Sequence, residues 1–195
     1  MLNRIQASLL DSLRVKQALI EDAALQRELA LAAERCAAVL QEKGRILFCG
    51  NGGSAADAQH LAAELSGRFY LDRRPLDAEA LHVNSSYLTA VANDFGYEHI
   101  FSRAILAKGR PGDLLIAFST SGNSPNVLHA IEAALGLGMF VIGFTGKKTG
   151  RMGELPCTHL FAVPSLDTPR IQEGHLLLGH ILCDLVEWQL FGRGV

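Results

Sequence analysis

The stretch Ile46-Leu47-Phe48-Cys49-Gly50-Asn51-Gly52-Gly53-Ser54-Ala55 decides the fold class. A short apolar run followed by glycines reads as a strand buried on both faces, and the Asn/Gly/Ser segment behind it opens a helix. The same order recurs in Leu114-Leu115-Ile116-Ala117-Phe118-Ser119-Thr120-Ser121-Gly122-Asn123-Ser124. Each copy sets hydroxyls and free backbone N–H groups at a helix N-terminus, where an anion is favoured. Two such loops on one sheet predict a small phosphorylated ligand held across the strand ends.

Around these two segments, strands and helices alternate after Gly44. Strands are expected at 45–49, 79–83, 113–118, 139–144 (running out at Thr145-Gly146) and 158–163. Helices are expected at 54–66, 86–92, 98–106, 124–137 and 168–190. The alternation predicts an α/β fold, a parallel five-stranded sheet flanked by helices in three layers. Residues 1–43 read as two lead-in helices. In the second, Leu25, Leu29, Ala32, Cys36, Val39 and Leu40 form one apolar stripe, and Ile5, Leu9, Leu13 and Ile20 form a looser one in the first. That is more apolar face than one small sheet needs, so part of it is expected to pack against another subunit. Residues 1–195 are read as a single domain, with the helices at 1–43 preceding an α/β core at 44–195.

Composition narrows the function. A formal charge of −2 carries no electrostatic signature for nucleic acid or an anionic membrane. No apolar run approaches the ~18 residues of a membrane span. Met1-Leu2-Asn3-Arg4-Ile5-Gln6 lacks a signal-peptide core, and a cytoplasmic location is expected. Cys36, Cys49, Cys157 and Cys183 are scattered, as reduced and mostly buried thiols would be.

The first loop also satisfies the dinucleotide pattern G-x-G-x-x-A. That reading needs an acid at the end of the second strand. Asp77 and Glu79 lie at or before its start, and it ends in Val83-Asn84-Ser85, which argues against a nicotinamide cofactor. The second loop is more specific. Capping by Ser124 explains one hydroxyl, not the four of Ser119, Thr120, Ser121 and Ser124, so a phosphate monoester is the favoured ligand. His60 and Glu64 share a helix face at i,i+4, suited to a divalent metal or to acid–base work. Gln172, His175 and His180 stand in an apolar final helix, where their polar groups need partners. Helical rise separates Gln172 from His180 by roughly 12 Å, so a shared metal would need long reach, a bend or helices from two subunits. Asn93-Asp94-Phe95-Gly96 is expected in a loop, with Asp94 either binding sugar hydroxyls or capping the next helix.

Together these motifs, with Arg170-Ile171-Gln172-Glu173-Gly174-His175, resemble the sugar isomerase (SIS) family, and within it the phosphoheptose isomerases. The likeness covers essentially the whole chain. It implies a flavodoxin-like, Rossmann-like SIS domain in a homotetramer with active sites between subunits. It implies conversion of D-sedoheptulose 7-phosphate to D-glycero-D-manno-heptose 7-phosphate, an early step toward the heptose of bacterial surface polysaccharide. One zinc per subunit is implied, with ligands matching His60, Glu64, Gln172 and His180. Substrate contacts carry over to Asn51, Gly52, Gly53, Ser54, Glu64, Asn93, Asp94, Ser119, Thr120, Ser121, Ser124 and Gln172. In that chemistry Glu64 moves the carbon-bound proton and His180 serves the oxygens. Where some members carry an acid just before Arg-Ile-Gln, this chain has Asp167-Thr168-Pro169-Arg170, and no group for ring opening is assigned. The rival reading is a non-catalytic SIS protein that associates with the replication initiator. Such proteins have lost parts of the His/Glu/Gln/His set that this chain keeps.

Overall fold

The computed structural model describes residues 1–192. The strands β1 (Ile46–Cys49), β2 (Ala78–Ala80), β3 (Leu114–Ser119), β4 (Phe140–Gly146) and β5 (His159–Val163) pair in parallel in the order β2-β1-β3-β4-β5. The order reverses between β1 and β3, and the two Gly/Ser loops leave the sheet at that switch point.

Strand side chains alternate between two cores. Ile46, Phe48, Ile116, Phe118 and Phe144 join one, packed under helices α2 (Ala23–Gln41), α3 (Gly53–Ser66) and α7 (Thr168–Phe191). Leu47, Cys49, Leu115, Ala117 and Val141 join the other, under α4 (Ser85–Phe95), α5 (Ile100–Lys108) and α6 (Pro125–Gly136). Both faces are covered, which is why the strands carry no polar alternation. The expected three-layer α/β sheet is present.

The N-terminal helix α1 (Leu2–Glu21) buries only Leu19, while Leu2, Ile5, Leu9, Leu13 and Ile20 stay exposed on the single chain. Asp22 separates it from α2 and caps α2, accepting from the N–H groups of Ala24 at 3.1 Å and Leu25 at 2.9 Å. Among the described residues no helix is long and apolar enough to cross a membrane. All four cysteines are free, three of them buried. Burial pushes the Cys36 thiol up to about 12 and that of Cys157 to about 11, with backbone hydrogen bonds opposing in both.

Three expectations need correction. The second strand stops at Ala80, because Leu81 and His82 form a turn; Leu81 is buried there without belonging to the sheet. The helix expected at 86–92 starts at Ser85 and continues to Phe95, so Asn93 and Asp94 occupy its last turn rather than a loop. Its start is capped by the Asn84 side chain, which accepts from the Tyr87 N–H, and it ends at Gly96 with φ 94°. The segment expected as one helix at 98–106 divides into a 3₁₀ turn at Tyr97–His99 and α5.

Candidate active site

At the first loop, Gly52 adopts φ 55° and ψ −121°, a conformation open to glycine alone, and turns the chain directly into α3. Asn51 is held by a reciprocal amide pair. Its Nδ2 donates to Asn126 Oδ1 at 2.8 Å, and Asn126 Nδ2 donates back to Asn51 Oδ1 at 2.8 Å. Asn126 is buried in the first turn of α6, so this pair ties the first Gly/Ser loop to the second. The Tyr97 hydroxyl donates to Asn51 Oδ1 at 3.1 Å, which ties the turn that follows α4 to the same loop. Asn93 Nδ2 donates to Asp94 Oδ1 at 2.8 Å, and both remain exposed. Ser54 is buried in the first turn of α3.

In the second loop, Ser119 Oγ and Ser124 Oγ stand 3.0 Å apart, and the Ser124 N–H is 3.4 Å from Ser119 Oγ. Ser124 occupies the N-cap position of α6, yet its hydroxyl makes no capping bond. Helix capping therefore accounts for none of the loop's hydroxyls. Ser121 Oγ accepts from the Asn123 N–H at 3.2 Å. Gly122 has φ 66°, and a Cβ there would run into the Thr149 carbonyl, so the turn requires glycine. Thr120, Ser121 and Asn123 face Lys147, Lys148 and Thr168 across a pocket of about 250 Å³.

The third element lies between α3 and α7. His60 Nε2 is 2.8 Å from His180 Nε2 and 3.2 Å from Glu64 Oε1. One ligating atom from each of His60, Glu64 and His180 lies within 4.8 Å of the others, the only such group of three among the described residues. Packing explains the meeting. Gly179 presents no side chain to Leu61, where a Cβ would sit 2.9 Å from Leu61 Cδ2. The two helices close together at that point, and a histidine adjoins it on each, His60 before Leu61 and His180 after Gly179. Gln172 is placed elsewhere, its amide against Gly53 at the start of α3. His175 is not at the site. It is fully buried between Phe118 and Phe144 with Nε2 3.1 Å from the Thr145 carbonyl. Burial pushes its imidazole down to about 4 against the opposing effect of that bond.

The sequence reading missed three residues here. Asn126 and Tyr97 orient Asn51, and no local pattern marks them. Asp57 stands one turn before His60, with Oδ2 buried and without a hydrogen-bond partner. Burial raises its carboxyl to about 6, and the charge on His60 opposes the shift. The spacing Asp57-x-x-His60-x-x-x-Glu64 is the signal that would have found it.

The pattern of the SIS domain matches residues 12–146. The phosphoheptose isomerase of Burkholderia pseudomallei (strain 1710b) is 50% identical over 192 residues, covering 98% of this chain and 97% of its own. The chain belongs to the phosphoheptose isomerase family of SIS-domain proteins. A second member, from Rhodospirillum rubrum, is 59% identical over 150 residues, 77% of this chain and 79% of its own. The solved phosphoheptose isomerase from Neisseria gonorrhoeae superposes with a TM-score of 0.89 at 43% identity, covering 95% of this chain and 97% of that one. The SIS fold thus extends beyond the matched segment through α7, the helix that carries Gln172 and His180.

Proposed function

We propose that the chain is an aldose–ketose isomerase that converts D-sedoheptulose 7-phosphate to D-glycero-D-manno-heptose 7-phosphate through an enediol. The observation that carries the reading is the convergence of His60, Glu64 and His180 on one point between α3 and α7, in a chain whose β1 and β3 both run into Gly/Ser loops at helix N-termini. The family's name supplies the sugar, since loop chemistry recognises a phosphate and cannot count carbons.

The residues divide the work. The N-terminus of α6 and the hydroxyls of Ser119, Thr120, Ser121 and Ser124 hold the phosphate, with Lys147 and Lys148 adding positive charge beside the pocket. Asn51, Gly52, Gly53, Ser54, Asn93, Asp94 and Gln172 hold and orient the sugar. The Glu64 carboxylate removes a proton from C1 of the ketose and returns it to C2, while His180 takes the proton from O1 and protonates O2. The carbonyl moves from C2 to C1 and the balance of atoms is unchanged.

The same three side chains fit a metal. Two imidazole nitrogens in contact and a carboxylate oxygen beside them form the N/O donor set that zinc prefers. His60, Glu64 and His180 would hold one zinc per subunit, and zinc bound there would supply Lewis-acid polarisation of the sugar oxygens. The Gln172 amide lies against Gly53, seven residues of α3 from His60, so a glutamine ligand at this point would come most directly from the partner subunit's Gln172 in a homotetramer. The exposed apolar stripe of α1 supports such an assembly. The rival reading, a non-catalytic protein that associates with the replication initiator, calls for a depleted ligand set. All four residue types are present and three converge.

The test is turnover of sedoheptulose 7-phosphate followed by NMR, on protein as purified, after chelation and after zinc add-back. Appearance of the aldoheptose 7-phosphate supports the reading, and the chelation arm reports whether metal is required. Absence of product in every arm, with the substrate still bound, would overturn it.

A further inference from the structure

The segment leaving α3 has no regular structure between Gly67 and Asp77, yet one buried carboxylate organises its first half. Glu187, on α7 and 2% exposed, accepts from the N–H groups of Phe69 at 3.2 Å, Tyr70 at 2.7 Å and Leu71 at 2.9 Å. It also accepts from Arg73 Nε at 2.8 Å. The Arg73 side chain is 3% exposed. Its remaining nitrogens donate to the carbonyls of Glu64 at 2.9 Å, Leu65 at 2.8 Å, Gly67 at 3.1 Å and Arg74 at 3.1 Å. The Glu64 and Leu65 carbonyls belong to the last turn of α3, which has no helical partners to offer them. Arg73 therefore caps α3 from the side, and Glu187 neutralises it from α7.

The consequence lies two turns away. His180 precedes Glu187 by seven residues on α7 and shares its face. Glu64, whose carboxylate joins His60 and His180, gives its carbonyl to Arg73. Phe69, pinned by Glu187, sets its ring 5.8 Å from the His180 ring. The pair thus spans the two helices that carry every converging donor and seats the aromatic wall beside one of them. A buried ion pair is a weak source of stability against an apolar replacement, so stability alone does not account for it.

We infer that Arg73 and Glu187 are positioning residues for the reaction, setting the α3–α7 spacing at His60, Glu64 and His180 and seating Phe69 against His180. This rests on reading those three residues as the reacting centre.

The test compares Glu187→Gln, which loses one acceptor and brings an N–H donor toward other donors, with wild-type protein. The readouts are kcat and KM for sedoheptulose 7-phosphate, the visible absorption of added cobalt(II), and Tm. Ile131→Ala, in the core on the opposite face of the sheet, serves as a destabilised control. The expected result is a kcat lower by about 10- to 100-fold with KM changed far less, and an altered cobalt spectrum. The control should keep the wild-type kcat and spectrum at temperatures where it is folded. If Glu187→Gln does not fold, Arg73→Lys gives the same reading, since an ammonium keeps the charge but cannot serve four carbonyls and a carboxylate together. A Glu187→Gln or Arg73→Lys protein with lowered Tm but wild-type kcat and cobalt spectrum overturns positioning. Wild-type protein that neither isomerises nor binds cobalt overturns the site reading itself, and this inference with it.

Discussion

Gly53→Ala separates the role of Gln172 from the stability of the fold. Gly53 is the first residue of α3 and its φ is not positive, so alanine fits the backbone and removes glycine's entropic cost. The added Cβ would lie 2.8 Å from Gln172 Cδ and 2.9 Å from its Oε1. Ordinary contact between such atoms needs about 3.5 Å, so the amide must move by roughly 0.6 to 1 Å. It is the far end of a flexible side chain, and the cost to stability should stay under about 1 kcal/mol, a Tm change of at most about 4 °C. A displacement of that size in a group that orients the substrate costs up to about 100-fold in rate, or roughly 2.7 kcal/mol in the barrier. Steady-state kinetics on sedoheptulose 7-phosphate, with Tm measured on the same preparation, reads both numbers. Unchanged kcat/KM at an unchanged Tm would refute a role for Gln172 at the substrate. A large fall in Tm would show that Gly53 serves packing instead.

His175 gives a pH prediction. It is held neutral in the folded protein at about 4 against 6.5 in the unfolded chain, so its stabilising contribution is complete above pH 6.5 and lost as pH falls toward 4. The total is about 3 kcal/mol, and His175→Met should lose that much less stability than wild type between pH 7.5 and 4; parallel urea-denaturation profiles would exclude it. Ser119→Ala and Ser124→Ala each remove a hydroxyl from the loop between β3 and α6, and if that loop holds the phosphate they should weaken inhibition by inorganic phosphate by about 10-fold or more, with kcat less affected. Equal inhibition constants would place the phosphate elsewhere. Zinc added to chelated protein should raise Tm by mass action, and His60→Ala should abolish the rise. A wild-type Tm indifferent to chelator and zinc would remove zinc from the proposal.

Much of the fold was legible because its signals are local. Ile46 to Cys49 and Leu114 to Phe118 read as strands since burial on both faces leaves them continuously apolar between glycine turns. Leu81 prolonged the expected second strand because a buried apolar turn and a strand end look alike in sequence, and Val83, exposed beyond the turn, extended the apolar alternation. Asn93 and Asp94 looked like loop formers, but Val91 is buried and the helix runs on to Gly96, so packing overrode their local preference.

The site divides along the same line. Which chemistry is present could be read from the residues alone: hydroxyls and amides behind β1 and β3, His60 and Glu64 on one helical face, Gln172 and His180 on the last helix. Which of these meet is set by the packing of the helices. His60 and His180 are 120 residues apart and come to 2.8 Å because Gly179 lets Leu61 close the gap between two helices. Gln172, on the same helix as His180, is carried to Gly53 by the length of the rise between them. Such contacts depend on how two helices approach each other, and spacing along one chain does not encode that distance.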